Sequence, residues 1–274
     1  FMSRFEQMIQ ATGLHESVAL LFVDLDRFKA INDTFGHDIG DKVLIEVARR
    51  MREWNTCDAT IARLGGDEFV IAIRGPYPFT EVASIADRLI ACCNEPIVVM
   101  PYQFHITISI GITLYPIDGA SCDTLLKNAD QAMYASKNQG RNRYNYFIPS
   151  MQEAAQNRMR LANDLRGALD AGQFSLVYQP IVELATGVIH KAEALIRWQH
   201  PTRGIVSPAE FIAIAEENGL IIDIGDWVFR EAACQVKHWR ERHQPDFQVS
   251  INKSPVQFHY EGENHTAWLD YLRQ

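Results

Sequence analysis

The sequence predicts two consecutive domains: an α+β domain over residues 1–148 and the beginning of a (β/α)8 barrel over residues 161–274. For the first domain, an apolar run at residues 18–23 is bounded by polar residues, as in a buried strand. Two β-rich runs around Gly65-Gly66 add a hairpin. For the second domain, strand patterns give way to helical patterns, which is typical of βα units.

The elements of the first domain come in the order of a ferredoxin-like palm. Helical spacing marks residues 2–12, and the buried strand that follows ends in Asp24-Leu25-Asp26. A helix over about 38–54 leads into the hairpin. The pattern then predicts a helix over 80–94, a strand over 104–110, a helix over 121–138 and a short strand over 144–147.

Residues 149–160 are polar and helix-prone, which predicts a helical linker. The second domain then opens with two strand patterns and two helical patterns. Its predicted elements are strands over 174–181 and 188–198, helices over 208–217 and 222–242, and a strand over 248–251. A complete (β/α)8 barrel takes about 250 residues. We therefore expect only the first part of a barrel here.

Composition excludes several classes of protein. The net charge is −8, with no cluster of Lys or Arg, so we expect no binding to duplex nucleic acid. The five cysteines are scattered and form no C-x-x-C pair, which favours ordinary thiols. No apolar run approaches the ~18 residues of a membrane span. We expect a cytoplasmic protein, with a membrane anchor only in segments upstream.

Three carboxylates are predicted to converge on one edge of the sheet. Asp24 follows a buried strand, whereas Asp67 and Glu68 lie at the hairpin tip. Clustered carboxylates repel one another unless a cation neutralises them, and Mg²⁺ suits such a site. Gly65 and Gly66 would let the backbone approach a phosphate closely. Taken singly, these features are also those of an ordinary turn and an ordinary helix cap.

The combination resembles a known family. Residues 63–69 read Arg-Leu-Gly-Gly-Asp-Glu-Phe, the signature of the GGDEF family of diguanylate cyclases. Residues 24–33 (DLDRFKAIND) and 36–41 (GHDIGD) are similar to the nucleotide-binding stretch of that family. The segments SIGI at 109–112 and ADQAMY at 129–134 continue the match, with Lys137 and residues 140–142 after them.

The resemblance implies the fold of a cyclase palm and a set of site residues. Metal ions (Mg²⁺ or Mn²⁺) would be held by Asp24, Asp67, Glu68 and the carbonyl of Leu25, with Asp67 and Glu68 also catalytic. Asn32 and Asp41 would recognise guanine, since they offer acceptors to its N–H groups. The remaining residues implied to bind substrate are Phe28, Lys29, Gly65, Gly66, Lys137 and Arg141. The last two are four apart, the spacing of one helix face.

The implied reaction joins two GTP molecules into cyclic di-GMP and pyrophosphate. One domain would bind one GTP, so catalysis would require a homodimer. Many cyclases of the family carry an Arg-x-x-Asp inhibition site before the signature, but Thr56 and Ala59 occupy those positions here. We therefore expect no feedback inhibition by that route.

The second domain resembles the start of an EAL phosphodiesterase domain. The resemblance rests on Glu193-Ala194-Leu195, on the segments YQPI at 178–181 and PAEFI at 208–212, and on SINKS at 250–254. It implies that Glu193 and Asn252 bind metal and that Arg197 contacts a substrate phosphate. Gln179 and Leu195 complete the implied site. We expect the later ligands of that family beyond Gln274, and hence phosphodiesterase activity only in the full-length protein, the given chain being truncated at both ends.

Three functions stay open at this point. The first is an active diguanylate cyclase, with an EAL domain that in the full-length protein hydrolyses cyclic di-GMP. The second is a net phosphodiesterase whose GGDEF domain binds GTP as a regulator. The third is a catalytically silent receptor or scaffold for cyclic di-GMP. The intact set of Asp24, Asn32, Asp41, Asp67 and Glu68 favours the first.

Overall fold

A computed structural model describes residues 1–13, 16–54, 59–76, 79–242 and 245–258, together with Trp268 and Tyr271. The chain divides into two compact units, Phe1–Ala155 and Gln156–Gln274. Each unit has its own apolar core.

The first unit is built on a five-stranded sheet of order β2-β3-β1-β6-β7. Its strands are β1 (Ser17–Leu25), β2 (Ala59–Gly65), β3 (Glu68–Gly75), β6 (Ile108–Tyr115) and β7 (Arg143–Tyr146). The pairs among β1, β2, β3 and β6 are antiparallel, and β7 lies parallel to β6. The order β2-β3-β1-β6 is that of a ferredoxin-like palm, so the predicted fold class is confirmed.

Strand β1 is central and covered on both faces, which explains its continuous apolar run. Alternate residues such as Leu21 and Val23 pack against α3 (His37–Trp54) and α4 (Phe79–Asn94). The intervening residues, among them Leu20 and Phe22, pack against α1 (Met2–Gln10) and α5 (Cys122–Asn138). The end of β1 is therefore fixed by two cores.

Two elements differ from the sequence prediction. The stretch at 28–35, for which no element was predicted, forms α2 (Phe28–Phe35) and leads through Gly36 (φ +84°) into α3. The strand predicted over 104–110 is two strands. A small hairpin pairs β4 (Ile97–Val99) with β5 (Tyr102–Phe104), and β6 starts only at Ile108. The prediction of one strand was wrong because an apolar run does not show where its hydrogen-bonding partner changes.

The second unit combines a mixed sheet with helices on one face. Strand β9 (Ile189–His200) pairs antiparallel with β8 (Phe174–Val182) and β10 (Gly204–Val206), and parallel with β11 (Gln248–Ile251). Its helices are the part of α6 (Pro149–Ala168) from Gln156 onward, α7 (Pro208–Glu217) and α8 (Ile221–Arg242), and a 3-10 turn spans Pro255–Phe258. The described residues contain no closed barrel, in agreement with the expected incomplete one.

The core of the second unit lies between the sheet and the helices. Trp198 and Phe211 are fully buried there and stack edge to face with their ring centroids 5.6 Å apart. The indole N–H of Trp198 donates to Gln173 Oε1 at 2.9 Å, so its polar atom is satisfied. None of the helices in the described ranges is long and apolar enough to cross a membrane.

Gly111 offers a direct test of the packing that fixes β6 against α5. A Cβ at this position would overlap backbone atoms of Ala129 and Met133. Because backbone cannot yield as a side chain can, we expect Gly111→Ala to destabilise the first unit by about 2 kcal/mol or more. Native-state hydrogen exchange at the amides of β1 and β6 measures this for the first unit alone.

Gly13→Ala is the matched control, since its Cβ would only meet Glu16 Oε2 at 3.8 Å. We expect a change of roughly 0.5 kcal/mol or less for it. Equal effects of the two substitutions would contradict the close β6–α5 contact.

Candidate functional site

The register of the sheet brings the predicted acidic residues together. Asp24, the penultimate residue of β1, lies opposite Glu68, the first residue of β3. The amide of Leu25 donates to the carbonyl of Asp67 at 3.3 Å. Asp24 is 5% exposed, whereas Asp67 and Glu68 are half-buried. The end of the central strand and the hairpin tip therefore form one acidic edge.

The Gly65-Gly66 turn beside this edge is open to solvent. Gly66 has a φ of +52°, a left-handed conformation that glycine adopts without strain. Arg63 Nε donates to the Gly66 carbonyl at 2.9 Å and fixes the turn. No atom lies within 4 Å of the position a Cβ would take at Gly65 or Gly66. A ligand could therefore approach this backbone closely.

Lys137 supplies the positive charge next to the acidic edge. Its Nζ lies 2.7 Å from Asp24 Oδ2. Burial raises the pKa of Asp24 to about 6, with further upward contributions from the charges of Asp67 and Asp26, and the contact with Lys137 opposes this shift. The ionised Asp24 carboxylate is therefore only partly compensated, and a further cation would be bound favourably here.

Two other acids share this negative field. Burial raises the pKa of Glu68, and the charges of Asp130 and Asp67 raise it further. Burial likewise raises the pKa of Asp130, which lies two helical turns before Lys137 on α5. The sequence analysis did not single out Asp130. Its position on the same helix face as Lys137 was the available signal.

The donor set suits a divalent ion that arrives with a nucleotide. Among the described residues, no three His, Cys, Asp or Glu side chains are grouped closely enough to enclose a metal ion. Mg²⁺ usually takes only one or two carboxylates and completes its shell with water and substrate phosphates. Asp24 together with Asp67 or Glu68 supplies that number of hard oxygen ligands, so the residues present fit such a complex.

The two residues predicted to recognise guanine lie around Gly40. The Oδ1 atom of Asn32, on α2, is buried and has no hydrogen-bond partner among the described residues. A Cβ at Gly40 would overlap this atom, so a larger residue there would displace the Asn32 side chain. Asp41 follows directly and is exposed, beside a groove of ≈ 390 Å³ that Arg63 also lines. The exposed Asp41 carboxylate can receive N–H donors from a ligand, whereas Asn32 Oδ1 is closed off from solvent.

The remaining predicted substrate residues lie at two helix ends. Phe28 is buried at the start of α2, and Lys29 beside it is exposed. Arg141 does not share a helix face with Lys137, so that part of the prediction was wrong. Helix α5 ends at Asn138, and Arg141 follows Gly140 (φ +110°) in a left-handed conformation with φ +61°. Thr56 lies outside the described residues, and Ala59 is the first residue of β2.

In the second unit, Glu193 and Asn252 are in contact. Glu193 on β9 lies opposite Gln179 on β8 and opposite Ser250 on β11. Asn252 follows β11, and its Nδ2 donates to Glu193 Oε1 at 2.7 Å. The structure thus brings three of the predicted residues to one place on the sheet.

The other two predicted residues lie further along the same face of β9. Leu195 and Arg197 alternate with the buried Ala194 and Trp198, which face the helices. Arg197 Nη1 donates to the carbonyl of Ile196 at 2.8 Å. Arg197 and Asn252 border a cavity of ≈ 310 Å³ with Leu195.

The comparisons with known proteins identify both domains. A family model described as "Diguanylate cyclase, GGDEF domain" matches residues 1–143, and one described as "EAL domain" matches residues 162–274. The chain belongs to the GGDEF family and carries an EAL domain after its GGDEF domain. Enzymes of these families use divalent metal ions.

Curated relatives match most of the chain. The chain is 44% identical over 260 residues to the bifunctional diguanylate cyclase/cyclic di-GMP phosphodiesterase MucR of Pseudomonas aeruginosa, covering 94% of this chain and 38% of MucR. It is 38% identical over 237 residues to the cyclic di-GMP phosphodiesterase NbdA of the same organism, covering 86% of this chain and 30% of NbdA. The chain thus spans about a third of the length of these curated relatives.

Solved structures support the fold of the first unit. The GGDEF domain of PA1120 (YfiN or TpbB) from Pseudomonas aeruginosa is 37% identical, with a TM-score of 0.52, and the match covers 54% of this chain and 93% of that one. A delta-N mutant of the same protein that comprises only the GGDEF domain is 36% identical, with a TM-score of 0.54. This match covers 57% of the present chain and 92% of the mutant.

The raised pKa of Asp24 predicts a pH-dependent stability. Because the folded value of about 6 exceeds the ordinary 3.8, the folded state retains this proton between pH 4 and 6 while the unfolded state releases it. Asp24 therefore stabilises the fold relatively at low pH, and this contribution is lost as the pH rises through 6. We expect Asp24→Asn to raise the free energy of unfolding at pH 7.5 by roughly 1–2 kcal/mol and to leave its value at pH 4 nearly unchanged.

Urea unfolding in EDTA at the two pH values measures this effect. Asp87→Asn, at an exposed site on α4, is the control and should change neither value. An Asp24→Asn variant that is less stable than the wild type at pH 7.5 would contradict the partly compensated charge.

Proposed function

We propose that the GGDEF domain condenses two GTP molecules into cyclic di-GMP with release of pyrophosphate, using Mg²⁺ or Mn²⁺. The observation that carries this proposal is the acidic edge itself. Asp24 and Glu68 lie opposite each other in the sheet, and Asp67 is held next to Leu25 by a backbone hydrogen bond. Two or three carboxylates at the open end of a buried strand are what a metal–triphosphate complex requires.

The residues around this edge can hold each part of GTP. The exposed carboxylate of Asp41 would accept the guanine N–H groups, and Asn32 would join it by turning its buried Oδ1 toward the base. Lys29, Lys137 and Arg141 would neutralise phosphate charge. The exposed backbone of the Gly65-Gly66 turn would leave room for the phosphates, and Phe28 would contribute from the start of α2.

A bound metal would lower the pKa of the attacking 3′-hydroxyl and stabilise charge on the phosphate and on the leaving pyrophosphate. Asp24, Asp67, Glu68 and the Leu25 carbonyl are the groups that would hold it. Lys137 now neutralises Asp24, so it would be released toward the phosphates as the nucleotide complex binds. Because one domain holds one GTP, two domains must face each other, and a homodimer is part of this proposal.

The EAL domain suggests hydrolysis of cyclic di-GMP in the longer protein. The relatives MucR and NbdA are named as phosphodiesterases of cyclic di-GMP, MucR as a cyclase as well. The contact of Asn252 with Glu193, beside Gln179, supports a metal site at these two oxygen-bearing side chains. Leu195 and Arg197 on the same face would contact the substrate. We propose cyclic-di-GMP turnover in the cytoplasm as the role of the whole protein.

The cyclase reaction is tested at its acidic turn. We expect Asp67→Asn and Glu68→Gln each to lower the rate of cyclic-di-GMP formation by about 10²–10³-fold, since each removes a charge that would hold metal at the reacting phosphate. Chromatography of the nucleotide product and a pyrophosphate assay measure this in the presence of Mg²⁺. Asp87→Asn should keep full activity.

Pyrophosphate release that survives Asp67→Ala would overturn the assignment. A wild-type chain that binds GTP tightly and forms no product as a dimer would instead indicate the regulatory, GTP-binding role.

Guanine recognition is tested separately. The Asp41 carboxylate would accept from both N1–H and the N2 amino group, so Asp41→Asn should lower kcat/KM for GTP about 10–100-fold. Inosine triphosphate lacks the N2 amino group, so Asp41→Asn should lower kcat/KM less for this nucleotide. Asp38→Asn, an exposed change in the first turn of the same helix, is the control. An equal loss for both nucleotides would contradict a contact of Asp41 with the N2 amino group.

A further inference from the structure

Asp26 is a buried carboxylate that the proposed reaction does not use. It is 7% exposed and lies two residues beyond Asp24. Its Oδ2 accepts hydrogen bonds from Thr107 Oγ1 at 2.6 Å and from the backbone N–H of Asn142 at 3.2 Å. Its Oδ1 accepts from Ser109 Oγ at 2.7 Å.

These donors come from separate parts of the chain. Thr107 and Ser109 lie at the entrance to β6, whereas Asn142 lies in the turn between α5 and β7. The backbone N–H of Asp26 also donates to the carbonyl of Thr107 at 2.9 Å. A carboxylate is buried without great cost only where donors surround it. Asp26 therefore ties the end of β1 to a turn more than 110 residues later.

That turn adopts an unfavourable backbone conformation. Arg141 (φ +61°) and Asn142 (φ +50°) are both left-handed, and together with Arg27 (φ +60°) they are the non-glycine residues with positive φ in the described part of the chain. Side chains disfavour this conformation, which persists only where the surroundings hold it. The N–H of Arg141 donates to the Ser136 carbonyl at 3.1 Å, and Asp26 holds the next N–H.

The anchored turn carries the basic residues of the nucleotide site. Lys137 lies at its helical end, with Nζ 2.7 Å from Asp24 Oδ2. Arg141 lies within it and lines a cleft of ≈ 540 Å³ together with Asp26 and Arg27. If the turn relaxed to ordinary negative φ values, the backbone at Arg141 would change direction and carry its guanidinium away.

We propose that Asp26 is a positioning residue for the phosphates of the nucleotide. Its carboxylate holds the turn at 140–142 in the left-handed form, and so keeps Arg141 in the cleft that it lines with Arg27, just after the helix end where Lys137 contacts Asp24. Asp26 itself touches no substrate atom in this arrangement. The inference rests on the proposed GTP site and specifies how the phosphate-binding part of that site is built.

The test compares GTP with GMP, which lacks the β- and γ-phosphates. Calorimetry on the 274-residue chain with Mg²⁺ gives both dissociation constants. We expect Asp26→Ala to weaken GTP binding about tenfold or more and GMP binding less than about threefold, because only the phosphate contacts depend on the turn. Asp26→Asn keeps an acceptor for Asn142 and should stay within about threefold of the wild type for GTP.

A second substitution separates this role from general stability. Glycine tolerates φ +50°, so Asn142→Gly should restore GTP affinity in the Asp26→Ala background. If Asp26→Ala does not fold, Asp26→Ser takes its place, since a hydroxyl keeps a polar group near Thr107 and Ser109 but ends one bond short of Oδ2, the atom that accepts from Asn142. Asp87→Ala on α4 is the control and should bind GTP as the wild type does.

Equal losses for GTP and GMP, or a loss that Asn142→Gly does not restore, would show that Asp26 only supports the fold. Unchanged GTP affinity in both Asp26→Ala and Asp26→Ser would overturn the inference while leaving the proposed function intact. A wild-type chain that binds no GTP would overturn the proposed function itself.

Discussion

The arrangement of the first unit depends on the hydrogen-bonded register of its central strand. β1 pairs with β3 on one side and β6 on the other, and its apolar residues fill cores on both faces. A shift of one residue would turn every side chain to the opposite face, so two cores together fix the register. With that register, Asp24 must lie opposite Glu68, and the Gly-Gly turn must project beside it.

The register places the Asp24 carboxylate in a buried position, where a negative charge is unfavourable. The burial of Asp24 and the nearby charge of Asp67 raise the pKa of Asp24 to about 6, against the contact with Lys137. Such a group costs stability at neutral pH, and the cost falls once a cation binds. In the proposed metal–nucleotide complex, stability and ligand binding would therefore be linked through the same carboxylate, which Lys137 contacts in this structure.

The sequence was sufficient for the parts set by local pattern. The run at 18–23, the Gly65-Gly66 hairpin and the spacing of the motifs predicted the palm and the acidic edge. It was not sufficient where distant segments meet. The ion pair of Lys137 with Asp24 and the left-handed turn at Arg141 depend on how α5 ends against β1. Helical spacing wrongly put Arg141 on the helix face of Lys137, because α5 ends at Asn138. The second unit shows the same limit, because alternation did not indicate that β8 pairs antiparallel with β9.

In both units, strand pairing positions the predicted site residues in the same way. In each, an acid on a well-paired strand is set level with polar residues of both neighbouring strands: Asp24 with Glu68 and Ser109, and Glu193 with Gln179 and Ser250. The surroundings differ. Asp24 is buried and needs an ammonium group beside it, whereas Glu193 is only half-buried and needs no more than the amide of Asn252. Burial thus decides how strongly each carboxylate favours a cation, and it is greater at the GGDEF edge.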